Sequence, residues 1–243
     1  VHGHVLDLIA KKVDRIFFPV MVALPSDHTK FNATGVCPVV QGYPIVCRNT
    51  DDPEGRYGVP LDQPTFHWFD NALRRSQTVQ WFHTEWKLPR NLLERAVTEG
   101  EKAFHTYRHI ILQEGGRILD EVRGKGDFAV VLVGRPYHAD MLVNHNVASH
   151  FTAMGIPVLT THSLPGVYDQ DVAKHTRMEV KNAFHMQVLG ATMIAAQDPA
   201  IELVQVVSFG CGHDAIISDE INRMLHDFSA KERPCITSFT SSN

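Results

Sequence analysis

The stretch from residue 128 onward constrains the fold more than any other. Phe128-Ala-Val-Val-Leu-Val133, Ile156 to Thr161 and Ile201 to Phe209 are short, almost continuous apolar runs. Helical patterns separate them at Asn144 to Met154 and Met178 to Ala196, and a further one follows at Ser218 to Phe228. A strand that is apolar all round must be covered on both faces, and strands that alternate with helices return parallel. This half therefore reads as a parallel sheet between helices, with Pro234-Cys235-Ile236-Thr237 as a final strand. Ligands of such sheets gather outside the carboxyl ends of the strands.

Two loops that carry chemistry follow strand ends. One is Gly134-Arg135-Pro136-Tyr137-His138, with Asp140 and Asn144 close behind. The other is Gly210-Cys211-Gly212-His213, with Asp214 next and helical spacing clear from there through Ile216, Ile217, Ile221, Met224 and Leu225. Gly210 and Gly212 lack a Cβ and let the backbone turn sharply and approach a ligand. Cys211 then sits where a strand ends and a helix begins, a place that favours an anion such as a thiolate. Arg135 has the geometry to clamp a phosphate or carboxylate, and equally that of a structural arginine paired with an acid. Arg135, Tyr137, Gly210 and Gly212 are the candidate cofactor-binding residues. His138 and His213 are the candidate catalytic residues, as proton donors or as partners of a metal.

The first half is less regular. Val5, Leu8 and Ile9 mark a helix over Val1 to Lys12, and Asp14 to Val20 reads as a strand closed by Pro19. Pro38 suits the first turn of a helix, which puts Cys37 at a helix start as well. Cys47 has no C-x-x-C partner and reads as a bystander; His2 and His4 lack the i, i+4 spacing of a zinc motif and argue against a site there. Residues 50–64 read as a turn-rich surface loop, and the aromatic segment Phe66 to Trp86 as core or a domain contact. From Pro89, an apolar stripe (Leu92, Leu93, Ala96, Val97, Phe104, Tyr107, Ile110, Ile111) resumes after Gly115-Gly116. That is one helix with a break, or two in line. The expected architecture is α/β, two Rossmann-like parallel-sheet lobes linked by long helices: an N-terminal lobe over 1–88, truncated at its start, a helical connector over 89–126, and a C-terminal lobe over 127–243.

A net charge of −4 gives no basic excess for nucleic acid or an anionic membrane. No apolar run reaches the roughly 18 residues of a membrane span, and no signal-peptide pattern opens the chain, so a cytoplasmic location is expected. Four cysteines, Cys37, Cys47, Cys211 and Cys235, are too few for a disulfide scaffold at 243 residues. Phosphate-binding, dinucleotide-binding and serine-hydrolase motifs are all missing. What remains is a soft-ligand site with Cys37 and Cys211 as metal ligands, and thiolates on separate loops suit iron–sulfur clusters and zinc.

The strings V-H-G-H-V, D-R-I-F-F-P, C-P-V-V-Q-G-Y-P, V-G-R-P-Y-H and F-G-C-G-H-D-A occur in this order. Together they resemble the domain associated with 2-hydroxyacyl-CoA dehydratase activases, of the DUF2229 type. The resemblance implies a 4Fe-4S cluster held by three thiolates. Cys37 and Cys211 are two of them; the third belongs to a segment upstream of Val1, so the chain reads as a piece of a longer protein. His213 departs from the family, which commonly has proline there. The implied partners are an ATP-dependent activase module and dehydratase-like domains, with acyl-CoA as a candidate ligand. The implied role is ATP-driven low-potential electron transfer. The competing readings are an acyl-CoA- or partner-binding scaffold without a cluster and a zinc-dependent hydrolase.

Overall fold

The computed structural model describes residues 1–26, 34–208, 210–228 and, as backbone, 237–241. They form two compact units, divided between Glu101 and Lys102. The first contains α1 (His2–Ala10), β1 (Ile16–Phe17), β2 (Val20–Ala23), α2 (Pro38–Asp51), α3 (Pro53–Tyr57), β3 (Leu61–Asp62), β4 (Thr65–His67), α4 (Asn71–Glu85) and the start of α5 (Arg90–Lys125). The second contains the rest of α5, then β5 (Ala129–Val133), α6 (Val147–Ala153), β6 (Val158–Thr160), α7 (Val172–His175), α8 (Ala183–Gln197), β7 (Ile201–Ser208), α9 (Gly212–Phe228) and β8 (Thr237–Ser241).

In the first unit β1 pairs parallel with β3, and β2 with β4. These pairs are one ribbon broken in two by Pro19 and Pro64, which have no N–H to give to a ladder. The flanking amides carry it across: the Phe18 N–H donates to Asp62 O and the Val20 N–H to Pro64 O, each at 2.8 Å. Pro19 thus interrupts the strand expected there without closing it. Val5, Ile16, Cys47 and Val59 form the core beside the ribbon, with Leu8, Ile9 and Tyr43 against it. Residues 50–64 are not all loop. Asp52 accepts the Gly55 N–H at 3.0 Å and so caps α3. The aromatic segment becomes β4 and α4, and Trp81, Phe82 and Trp86 pack around Phe17 at centroid distances of 5.3, 5.3 and 6.3 Å.

In the second unit the sheet order is β6-β5-β7-β8, and every pairing is parallel. Val131 stands opposite Leu159 on one side and Leu203 on the other. Side chains alternate across the sheet: Ala129, Val131, Val133, Ile201 and Leu203 face the core that holds α8 and α9, while Val130, Leu132, Val204 and Val206 face α6. α8 is buried along most of its length, from Met186 through Ala196, which explains its apolar character all round. It starts at Ala183, later than periodicity indicates, because Asn182 accepts the Phe184 and His185 N–H groups at 3.0 and 3.2 Å. β8 begins at Thr237; the expected strand residues 234–236, Cys235 among them, lie outside the described residues.

α5 runs unbroken through Gly115-Gly116. A Cβ on Gly115 would stand 1.7 Å from the Ser163 carbonyl oxygen. Glycine is there because another backbone lies against the helix, and the pair that reads as a break marks a close contact instead.

From β5 the chain moves to β6 on one side, then crosses to β7 on the other. The reversal leaves a crevice outside the carboxyl ends of β5 and β7, the place where open parallel sheets bind ligands.

Candidate functional site

The two loops singled out above follow the carboxyl ends of β5 and β7. Gly210 takes φ +75°, a conformation costly to any residue with a Cβ. The Cys211 N–H then bonds Ser208 O, and Cys211 O accepts the Ala215 N–H, both at 3.2 Å. Cys211 therefore flanks the N-terminus of α9, which starts at Gly212, two residues before the helical spacing becomes clear.

Arg135 organises the site. Its Nη2 donates to Cys211 Sγ at 2.8 Å and to Asp214 Oδ1 at 2.9 Å, and its Nη1 donates to Tyr137 Oη at 3.1 Å. Arg135 and Asp214 are buried, so this is a desolvated ion pair, and the nitrogen that makes it also reaches a thiol. Asp214 Oδ2 also accepts the Ser208 N–H at 3.0 Å. Burial alone would push the Asp214 carboxyl up, but His185, the Ser208 N–H and Arg135 together hold it below the usual range. Burial likewise opposes the charge on Arg135, yet Asp214 and the bond to Cys211 leave it more firmly protonated than usual. Arg135 Nε has no hydrogen-bond partner among the described residues.

His138 is also buried, and its tautomer is fixed. The Arg135 backbone N–H donates to Nδ1 at 3.1 Å, so the neutral ring carries its proton on Nε2. Nε2 lies 3.0 Å from Ser208 Oγ, which lies 3.0 Å from Tyr137 Oη. With Nε2 donating, Ser208 Oγ accepts from His138 and shares a hydrogen bond with the Tyr137 hydroxyl. Tyr137 Oη also accepts from Arg135 Nη1, so the tyrosine joins the arginine to the histidine–serine pair. Burial pushes His138 below the usual imidazole range, and Arg135 adds to this against the pull of Asp214. The Asn144 side chain donates to His138 O at 2.9 Å and secures the loop from behind.

His213 is exposed on the first turn of α9, and its ring stands 5.8 Å from that of buried His185 in an edge-on arrangement. His185 Nε2 lies 3.7 Å from Asp214 Oδ1, ion-pair distance rather than hydrogen-bond distance. Of the sequence candidates, Arg135, Tyr137, His138, Gly210, Gly212 and Cys211 thus come together, with His213 beside them. Ser208, Asp214 and His185 complete the cluster. The sequence singled out neither Ser208 nor His185, since each is one residue in an apolar run.

Cys37 belongs to the first unit. It flanks the N-terminus of α2, with Pro38 in the first turn and Cys37 O accepting the Gln41 N–H at 3.0 Å. It is half-buried, like Cys211.

The same unit holds a group that sequence reasoning set aside. Cys47 and Asp51, one turn apart on α2, face His2 at the start of α1. His2 Nδ1 is 2.8 and 3.0 Å from the two Asp51 oxygens and 3.8 Å from Cys47 Sγ. Cys47 is fully buried, and burial followed by the charge of Asp51 pushes its thiol up. These three residues could hold a metal ion. The signal lies in the i, i+4 spacing of Cys47 and Asp51 on one helix.

The family described as CoA enzyme activase uncharacterised domain (DUF2229) matches residues 1–164, and the chain belongs to it. No curated protein and no solved structure matches. The matched part contains Cys37, the His2–Cys47–Asp51 group and the Arg135 loop; β7 and Cys211 lie beyond it. Among the described residues, no helix is long and apolar enough to cross a membrane.

Proposed function

We propose that this CoA enzyme activase domain works in an ATP-driven, low-potential electron-transfer system of the 2-hydroxyacyl-CoA dehydratase kind. In this reading Cys37 and Cys211 are thiolate ligands of a 4Fe-4S cluster. The observation that carries it is the position of Cys211: a half-exposed sulfur in the crevice outside β5 and β7, held by a cationic N–H donor. The donor chemistry fits, because Cys37 and Cys211 are accessible soft ligands whereas Cys47 is sealed. When bound, such a cluster supplies one-electron transfer at a potential set partly by hydrogen bonds to its sulfurs.

The chain's own residues have distinct parts in this reading. Arg135 fixes the direction of Cys211 and places a positive charge beside it. Tyr137, Gly210 and Gly212 line the approach of an acyl-CoA or of a partner dehydratase module. His138, through Ser208, orients the Tyr137 hydroxyl toward whatever binds, and His213 offers a second proton at the rim. In this reading residues 1–88 and 127–243 are Rossmann-like lobes, residues 89–126 are the helical connector, and the setting is cytoplasmic.

The test is anaerobic purification of the natural polypeptide that carries this chain, with iron and sulfide analysis and optical spectroscopy. Expected are a brown protein with sulfide-to-iron charge-transfer absorption and loss of iron in both Cys37→Ser and Cys211→Ser. Iron content unchanged in either variant, or a colourless iron-free protein, overturns the cluster. Iron-free protein that still binds acyl-CoA, and loses it in Arg135→Met, would replace it with the scaffold reading.

A further inference from the structure

We propose that His2, Cys47 and Asp51 form a separate, mononuclear zinc site with an open coordination position. Three donors of different chemistry, from two helices, converge within 4.8 Å of one another. Zinc takes sulfur at about 2.3 Å and nitrogen or oxygen at about 2.0–2.2 Å in tetrahedral geometry. A tetrahedral ion with those bonds spaces sulfur and nitrogen by about 3.5 Å, and nitrogen and oxygen by about 3.3 Å. The separations here are 3.8 Å for sulfur to nitrogen and 2.8–3.0 Å for nitrogen to oxygen. The sulfur-to-nitrogen and nitrogen-to-oxygen separations are thus each within about half an ångström of those a tetrahedral ion needs.

The burial of the group points the same way. Cys47 is 0 % exposed and the Asp51 side chain 9 %, while the His2 side chain is 40 % exposed. Two ligands are thus set in the protein and the third stands at the surface, so an ion would be anchored from beneath and reached from solvent. Tyr43, one turn before Cys47 on α2, sets its ring edge-on to His2 at 6.2 Å and limits how the imidazole can swing. Three protein ligands leave a fourth position for water or for a carbonyl or phosphoryl oxygen, as in zinc sites that bind or polarise a small ligand. Zinc binding exchanges the Cys47 proton for the metal, so neither oxidant nor reductant is needed. The site shares no residue with the cluster reading, and each can fail without the other.

The experiment is titration of the full chain with Co²⁺ under reducing conditions, followed by competition with Zn²⁺. Expected is one equivalent of Co²⁺ with a thiolate-to-cobalt charge-transfer band and the intense visible bands of tetrahedral cobalt, all erased by zinc. Cys47→Ala should abolish the charge-transfer band. Asp51→Asn and His2→Gln should each weaken binding at least tenfold. Because Cys47 is a core residue, His2→Gln, at an exposed helix start, keeps the test sound if Cys47→Ala unfolds. Cys37→Ser and Cys211→Ser must leave the band intact. Absence of a thiolate band in the folded wild-type chain, its retention in Cys47→Ala, or unchanged affinity in His2→Gln overturns the site.

Discussion

The surroundings of Cys211 and Cys47 differ in almost every respect that decides what a thiol can do. Cys211 is half-exposed at a strand-to-helix turn, beside a guanidinium. Cys47 is sealed inside a helix–helix contact, beside a carboxylate and an imidazole. The first is held by a charge already paid for by a buried partner, Asp214; the second stands with its own donors turned toward one another. The lesson is that local sequence placed Cys211 correctly and discounted Cys47, yet neither residue's role is set locally. Arg135 lies 76 positions from Cys211 and His2 lies 45 from Cys47. The partner across the fold decides.

The largest effect that tests this contrast comes from removing the acid on each side. Asp214→Ala leaves Arg135 buried with its main counter-charge gone, and breaking a buried pair in this way costs about 3–5 kcal/mol. Asp51→Ala, without metal, frees a half-exposed histidine to turn to water and should cost about 1 kcal/mol. Urea denaturation of both variants, free of metal, gives the comparison. Equal losses would mean that the Arg135–Asp214 pair is no more structural than the His2–Asp51 contact.

Acid sharpens it next, since the second unit concentrates carboxylates held below their usual range. Glu220 on α9 is pulled down to about 2, first by Arg223 and then by the Arg177 N–H and the Thr176 hydroxyl. Its folded value lies below its unfolded one, so its contribution is complete above about pH 4.5 and is lost as pH falls from there toward 2. That contribution is on the order of 3 kcal/mol. Asp214 acts in the same direction. His138, also lowered, withdraws its share earlier, as pH falls below about 6.5 and the unfolded ring takes up a proton. Glu220→Gln should flatten the stability profile between pH 4.5 and 2. A profile that keeps its full slope there assigns the acid sensitivity elsewhere.

How far the sequence carries can be read from particular residues. The parallel sheet was legible because β5, β6 and β7 are apolar runs whose period shows without any partner. The rim followed from it, since parallel strands have to end on one side. Other features were hidden because their cause is tertiary. Gly115 reads as a break, and only the Ser163 carbonyl against it explains an unbroken helix. Pro19 reads as a stop, and only the matching Pro64 shows that both strands resume together. α9 starts at Gly212, ahead of its apolar spacing, because its first turn faces the crevice rather than the core. The metal-capable group joins two helices that a linear search treats separately. Cys37 and Cys211 were found by their helix starts, a local signal that survives translation into structure.

The smallest effect probes the polar chain in the crevice, which has no counterpart around Cys47. Ser208→Ala removes the hydroxyl between His138 Nε2 and Tyr137 Oη. His138 is 3 % exposed and Tyr137 41 %, so the two groups left behind do not suffer equally. The tyrosine turns to water at little cost, while the buried Nε2–H loses its acceptor, for a total of about 1–2 kcal/mol. Tyr137→Phe leaves Ser208 able to reach solvent and should cost under about 0.5 kcal/mol. In the double variant the loss should match that of Ser208→Ala alone, because the serine carries the hydrogen-bond link from His138 Nε2 to the Tyr137 hydroxyl, while the edge-on contact of the two rings at 4.4 Å survives in Tyr137→Phe. A double variant that loses markedly more than the serine variant would show Tyr137 holding the loop independently, through Arg135 Nη1, and would move the anchor of the crevice from the serine to the arginine.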